Sequence, residues 1–261
     1  MPAMPELLTR LQKLRYAVTP LKLYAAYRAQ RDLKRYEPEL HVLPFLVDPE
    51  RVSVDAGANR GSYTYFLSRL TKHVYAYEPN PAMRQLLKRA SGENVTISDV
   101  ALSNRSGHAE FAVPKTRASF GNNAGSLEVN RLEESNAALV RFKVPTRRLD
   151  DEELNNVGFI KIDVEGHERE VLLGAQKLIA RDRPVLLMEI MESLIGADAN
   201  ENIGFVEQLG YQCFVLVGQR LIDHSMLSSH QDPGEGWDRR RPQHRSNNYI
   251  FLPVDRPRVA A

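Results

Sequence analysis

The sequence predicts an α/β fold built on a doubly wound, mostly parallel sheet. Three observations lead there. Short apolar runs of strand length recur along the chain, and segments of helical periodicity separate them. Several runs deliver an acid to their carboxyl end, as with Asp55, Glu78, Asp163 and Glu189, and in open α/β sheets that edge faces the ligand crevice. The 261 residues, 43% hydrophobic and 26% charged, suit one large domain with a sizeable core plus extensions and are too few for two generous domains.

Residues 1–48 form a basic helical extension. Within the first 36, Arg10, Lys13, Arg15, Lys22, Arg28, Arg31, Lys34 and Arg35 stand against only Glu6 and Asp32, with leucines and tyrosines interleaved. Such a segment either packs on the domain with its charges in water or makes peripheral contact with an anionic membrane through residues 1–36. Pro20 divides it into two pieces.

The main domain spans 49–254. Val52–Asp55 is its first strand and Ser62–Leu70 the following helix. His73–Glu78 is the second strand, and Pro81–Ala90 a helix with its proline in the first turn. Val95–Val100 is the third strand. The rhythm breaks over 107–149, where two β-like runs, His108–Val113 and Arg141–Val144, flank the polar stretch Arg117–Asn130. This is a β-hairpin insertion with a long loop. Alternation resumes with strand Phe159–Asp163, helix His167–Ala180, strand Val185–Ile190, helix Asn202–Leu209 and strand Tyr211–Val217. The polar stretch Ser228–Ser246 precedes a last strand, Asn248–Leu252, and residues 255–261 form a tail.

Composition excludes several classes. No run approaches the roughly 20 apolar residues of a membrane span, and the N-terminus lacks the apolar core of a signal peptide. The single cysteine, Cys213, lies in an apolar run, so it is a buried structural thiol and points to a reducing, cytoplasmic setting. A net charge of +2 and no interleaved surface aromatics argue against nucleic-acid binding.

The turn after the first strand carries the most information. Its glycines fall as Gly57-Ala-Asn-Arg-Gly61, not as G-x-G-x-x-G, and Asp55 precedes them. A carboxylate there would repel a pyrophosphate. A ligand with a cationic end, such as S-adenosylmethionine, suits it. Glu78, about 20 residues beyond this turn, stands where an acid accepts hydrogen bonds from ribose hydroxyls. Asp99 could hold an adenine edge, with Val100 and Ala101 against the ring. A second cluster, Phe159-Ile-Lys-Ile-Asp-Val-Glu-Gly-His-Glu168, crowds Asp163, Glu165, His167 and Glu168 around one glycine turn. Asp163 and Glu189 could meet at adjacent strand ends as oxygen ligands for a hard cation, but no third ligand is recognisable, and the histidines lack zinc spacing. No metal site is expected.

Taken together, Val54-Asp-Ala-Gly-Ala-Asn-Arg-Gly61, Tyr77-Glu-Pro-Asn80, Val100-Ala-Leu-Ser103, Arg148-Leu-Asp-Asp151 and Ile160–Glu168 resemble the FkbM-type S-adenosylmethionine-dependent methyltransferases. The resemblance runs from about Pro49 to Leu252. It implies a class I methyltransferase sheet whose last strand is antiparallel, and methyl transfer to a hydroxyl of a sugar, glycan or polyketide-like small molecule. By the same resemblance Asp55, Gly57, Asn59 and Gly61 line the methionine part of the cofactor and Glu78 takes the ribose. Asp99 and Val100 flank the adenine, and the Asp163–Glu168 turn, with Asp163 among the cofactor-binding residues, faces the methyl group and acceptor. Arg60 departs from the small or apolar residue expected inside the turn.

Methyl transfer from a sulfonium is an in-line displacement, and a hydroxyl acceptor needs a base. His167 has the better intrinsic pKa for that role and Asp163 the better position, with Glu165 orienting the acceptor. The acceptor would approach over Ser119–Asn130 and the arginine-rich stretch Trp237–Arg245. Two alternatives stand beside this reading. One is a nicotinamide-dependent oxidoreductase, which would need the missing G-x-G-x-x-G. The other is a non-catalytic partner- or membrane-binding protein that uses the basic N-terminus.

Overall fold

The computed structural model describes residues 20–114, 125–134, 138–190, 199–228 and 247–255. Helices α1 (Leu21–Arg35) and α2 (Leu43–Leu46) lead into β1 (Val52–Ala56), α3 (Ser62–Leu70), β2 (His73–Tyr77), α4 (Pro81–Ala90) and β3 (Val95–Ser98). Next come β4 (Ala101–Leu102), β5 (Gly107–Pro114), α5 (Val129–Glu134) and β6 (Leu139–Arg147). The chain continues with β7 (Val157–Ile162), α6 (Glu168–Leu173), α7 (Gln176–Asp182), β8 (Val185–Glu189) and α8 (Ala199–Gln208). β9 (Tyr211–Val217), β10 (Arg220–Asp223), α9 (His224–Ser228) and β11 (Asn248–Pro253) complete it.

Eight strands form one sheet in the order β3-β2-β1-β7-β8-β11-β9-β10. The strands from β3 to β8 run parallel, and β11 enters antiparallel between β8 and β9. This is the doubly wound, mostly parallel sheet with an antiparallel last strand. The chain order reverses between β1 and β7, which opens the crevice at their carboxyl ends.

The packing follows from the sequence. All six residues of β7, Val-Gly-Phe-Ile-Lys-Ile, are buried, as expected for a parallel strand covered on both faces. Ile160 and Ile162 point to one face with Leu186, Met188 and Phe251, beneath Leu172, Ile179 and Val206. Phe159 points to the other, with Leu187 and Ile250 beneath Leu43, Tyr63 and Leu67. In the insertion, β5 and β6 form a long antiparallel pair, and β4 adds to β6 in parallel. Phe111, Val113 and Val144 pack it against Ala82, Met83 and Leu86 of α4.

Three local differences from the sequence reading have physical causes. The third strand stops at Ser98, not Val100, because Ala101 and Leu102 pair with β6 of the second sheet. The helix expected over His167–Ala180 is divided into α6 and α7 around Gly174. A Cβ there would lie 2.0 Å from the Ser103 carbonyl oxygen, and the Gly174 carbonyl accepts from the Asp150 N–H at 2.8 Å. Asp150 in turn accepts from Leu178 N–H at 3.0 Å and so ties the Arg148–Asp151 stretch to α7. β9 and β10 form a hairpin beyond the expected strands, and Gly218, with φ +63°, turns it.

Helix α1 begins directly after Pro20 and packs on α3 and α4, with Leu23 and Tyr27 exposed. Residues 1–19 lie outside the described residues, as do most of the insertion loop and the Trp237–Arg245 stretch. Among the described residues, no helix is long and apolar enough to cross a membrane.

Candidate active site

The β1 turn is built by contact with the β7 turn. Gly57 takes φ +80°, and a Cβ on it would fall 1.8 Å from the Asp163 carbonyl oxygen. Only glycine lets the two turns approach this closely. The N–H groups of Gly57 and Ala58 both donate to the Tyr77 carbonyl, at 3.0 and 3.1 Å. Gly61, with φ +87°, starts α3 against Leu87.

Glu78 is buried behind this turn. Its carboxylate accepts the N–H of Asn59 at 2.6 Å and that of Asn80 at 2.7 Å. Burial raises its pKa to about 7, against the lowering effect of those two bonds. Asp55, also buried, accepts from the Thr64 hydroxyl at 2.5 Å. Burial again leads, and its pKa rises to about 6.

At the β7 turn, Glu165 (φ +54°) and Gly166 (φ +99°) bend the chain sharply, and the Ser126 hydroxyl donates to the Glu165 carbonyl at 2.7 Å. Burial, then repulsion from Asp163 and Glu168, raises the Glu165 pKa to about 7. His167 has both ring nitrogens engaged: Nδ1 with Glu128 Oε1 at 2.7 Å and Nε2 with Ser103 Oγ at 2.9 Å. A carboxylate only accepts, so Nδ1 carries the hydrogen. Ser103 is buried and is not among the residues lining the first cleft, so this relay orients the ring. Glu128, His167 and Glu170 offer ligand atoms within 4.8 Å of one another, and nothing further marks a metal site there.

Two clefts meet at these turns. Tyr77, Glu78, Asn80, Val100, Phe111, Leu127, Glu165 and His167 line the first. Asp55, Tyr63 and Lys161 line the second, with Arg31 and Glu37 from the N-terminal segment. Gly57, Asn59 and Asp163 belong to both. The first is pinched to about 40 Å³, against about 290 Å³ in the second.

The expected residues Asp55, Gly57, Asn59, Glu78, Val100, Asp163, Glu165 and His167 thus come together at one edge. Asp99 does not join them: its side chain is 61% exposed and lies 3.9 Å from Arg84. It is carried outward where β3 ends. Gly61 lines a separate groove with Lys22 and Arg69, and Arg60 spans that groove and the second cleft.

Lys161 is the charged residue of the otherwise apolar strand β7. It is 1% exposed, donates to Asn248 Oδ1 at 2.9 Å, and lies 4.0 Å from Asp163 Oδ2 and 4.9 Å from the Tyr63 ring centre. Burial alone would lower its pKa, but Asp163, Glu189, Glu37 and Glu39 hold it raised. Glu189 pairs in register with Asn248 across β8 and β11. Burial and Asp163 raise its pKa to about 8. A lysine within Phe-Ile-Lys-Ile is the sequence signal for this hub. Glu37 had no signal, since only the tertiary fold brings it here.

Comparison with known proteins identifies the family. The chain matches the family described as Methyltransferase FkbM domain over residues 55–213, well over half its length. A 2-O-methyltransferase, NoeI, from Sinorhizobium fredii (strain NBRC 101917 / NGR234) is 27% identical over 156 residues, covering 54% of this chain and 64% of that protein. The chain therefore spans less than two thirds of that relative. Among solved structures, FkbM methyltransferase from Methylobacillus flagellatus KT is 17% identical with a TM-score of 0.48, covering 75% of this chain and 51% of that one. A Streptococcus mutans protein, SMU.1697c, solved with SAH, is 12% identical with a TM-score of 0.40, covering 82% and 94%. The fold assignment stands on the strand order, not on these distant likenesses. The family match removes the oxidoreductase alternative, and the chain belongs to the FkbM family of S-adenosylmethionine-dependent methyltransferase domains.

Proposed function

We propose that this protein transfers the methyl group of S-adenosylmethionine to a hydroxyl of a sugar, glycan or related small molecule. The observation that carries the reading is Asp163, which the Gly57 contact fixes at the junction of the two clefts. In this reading the adenosine occupies the first cleft, with its ribose on Glu78 and its ring beside Val100. Entry requires the walls of this cleft, now about 40 Å³, to draw apart. Asp55, Gly57 and Asn59 line the methionine end, and Gly61 serves the turn from outside the clefts. Asp99 has no part in this reading.

In the reaction the acceptor oxygen forms a bond to the methyl carbon as the carbon–sulfur bond breaks, and the hydroxyl proton passes to a base. Asp163 suits that role better than His167, because both His167 ring nitrogens are already engaged, while the Asp163 side chain is 30% exposed at the junction. Glu165 orients the acceptor from the same turn. The 2-O-methyltransferase relative supports a hydroxyl as the target. Asp163→Asn, assayed with labelled S-adenosylmethionine and source extract, should lose about 10²–10⁴-fold in transfer while SAH still binds. Full turnover in this variant would remove Asp163 as the base.

A further inference from the structure

The second cleft has a charge pattern that a sugar hydroxyl would not need. Four acids (Asp32, Glu37, Asp55 and Asp163) and four bases (Arg28, Arg31, Arg60 and Lys161) line it. Arg28 and Arg31 share Asp32, at 3.4 and 2.9 Å, and the Arg28 Nε is buried with no hydrogen-bond partner among the described residues. Separated positive and negative groups in one half-enclosed space complement a zwitterion. The amino-acid end of S-adenosylmethionine is a zwitterion, and the turn that the two clefts share would lead it there.

We propose that Glu37, from the segment preceding the matched family region, receives the α-ammonium of the methyl donor. This rests on the methyl-donor reading above and extends the ligand site beyond residues 55–213. Glu37 follows α1 and is held from two other elements. Its Oε2 accepts from the Tyr63 hydroxyl of α3 at 3.1 Å and from Asn248 Nδ2 of β11 at 3.4 Å. Tyr63 sits two residues beyond the glycine turn, so the carboxylate is registered to the loop that lines both clefts. Lys161 lies behind it, hydrogen-bonded to the same Asn248. Burial raises the Glu37 pKa to about 6, opposed by Lys161 and supported by Asp163. The group is therefore mostly ionised above neutrality and able to take a cation.

The test compares two ligands on the full chain at pH 7.5 by titration calorimetry. SAH carries the amino-acid end, whereas 5′-methylthioadenosine keeps the adenosine and lacks that end. Glu37→Gln preserves size and can still accept from Tyr63 and Asn248, so it removes the charge alone. The expected result is an approximately tenfold or greater loss of SAH affinity with 5′-methylthioadenosine affinity unchanged. Equal loss for both ligands would make Glu37 structural and overturn the proposal, as would unchanged SAH affinity. Loss of methyl transfer with SAH affinity intact would assign Glu37 to the acceptor instead and also overturn it. If the wild-type chain bound neither ligand, the methyl-donor reading would fall and take this one with it.

Discussion

Gly57→Ala tests the contact on which the site depends. The new methyl group would lie 1.8 Å from the carbonyl oxygen and 2.8 Å from the carbonyl carbon of Asp163. Those atoms are backbone and cannot rotate away. The left-handed conformation costs an L-residue roughly 1–2 kcal/mol, and forced overlap in a packed interior adds about 1–3 kcal/mol. The sum, about 2–5 kcal/mol, corresponds in a domain of this size to a fall in Tm on the order of 10 °C. SAH affinity should fall as well, because relief requires Asp163 to leave the junction of the clefts. Gly204→Ala is the control. It lies in α8 with nothing within 4 Å of its added Cβ, so the same change should be neutral or stabilise by up to about 1 kcal/mol. Thermal melts followed by circular dichroism and SAH titration read both effects. If Gly57→Ala melted with the wild type and bound SAH equally well, the close contact between the turns would be refuted.

Two further outcomes follow from the buried charges. Glu78 has a pKa of about 7 in the fold against an ordinary 4.5, so the folded state keeps its proton longer than the unfolded chain. Its stabilising contribution, about 3 kcal/mol, is present below about pH 4.5 and is lost as pH rises through 7. Denaturant melts of the ligand-free protein should therefore weaken from pH 5 to pH 8, with a shallower slope in Glu78→Gln; an identical slope would contradict the assigned burial. Lys161→Met leaves Glu37, Glu39, Asp163 and Glu189 around a neutral side chain and should cost about 3–5 kcal/mol at pH 8. The deficit should shrink at pH 5, where Glu37 and Glu189 are protonated, and a deficit equal at both pH values would count against the hub.

Much of the fold and part of the candidate site were legible in the sequence because their causes are local. Apolar runs with acids at their ends located the strands of the parallel sheet, and Asp55, Gly57 and Glu78 followed from turn chemistry. Asp99 shows where this reasoning stops. Its neighbours Val100 and Ala101 do turn inward, but one residue of register at the end of β3 carries Asp99 to the surface. The break at Gly174 depends on Ser103, which is distant in sequence but close in space, so no periodicity could reveal it. Lys161 was visible as an oddity in an apolar strand. Its partners come from the N-terminal segment, α3, β8 and β11, and only the fold could assemble them.

The position of β11 also bears on how the molecule assembles. This strand joins β8 to β9, so the β9–β10 hairpin has no ladder to the rest of the sheet until Asn248–Pro253 is in place. During synthesis the parallel strands through β8 can pair early, while their open edge waits for a segment made much later. Such an arrangement depends on sequence-distant pairing, which slows folding and leaves an edge exposed meanwhile. Asn248 also bridges Lys161 and Glu37, so the same late strand adds a contact beside the second cleft. A nascent chain short of β11 would lack both the closure of the sheet and the Asn248 link between Lys161 and Glu37.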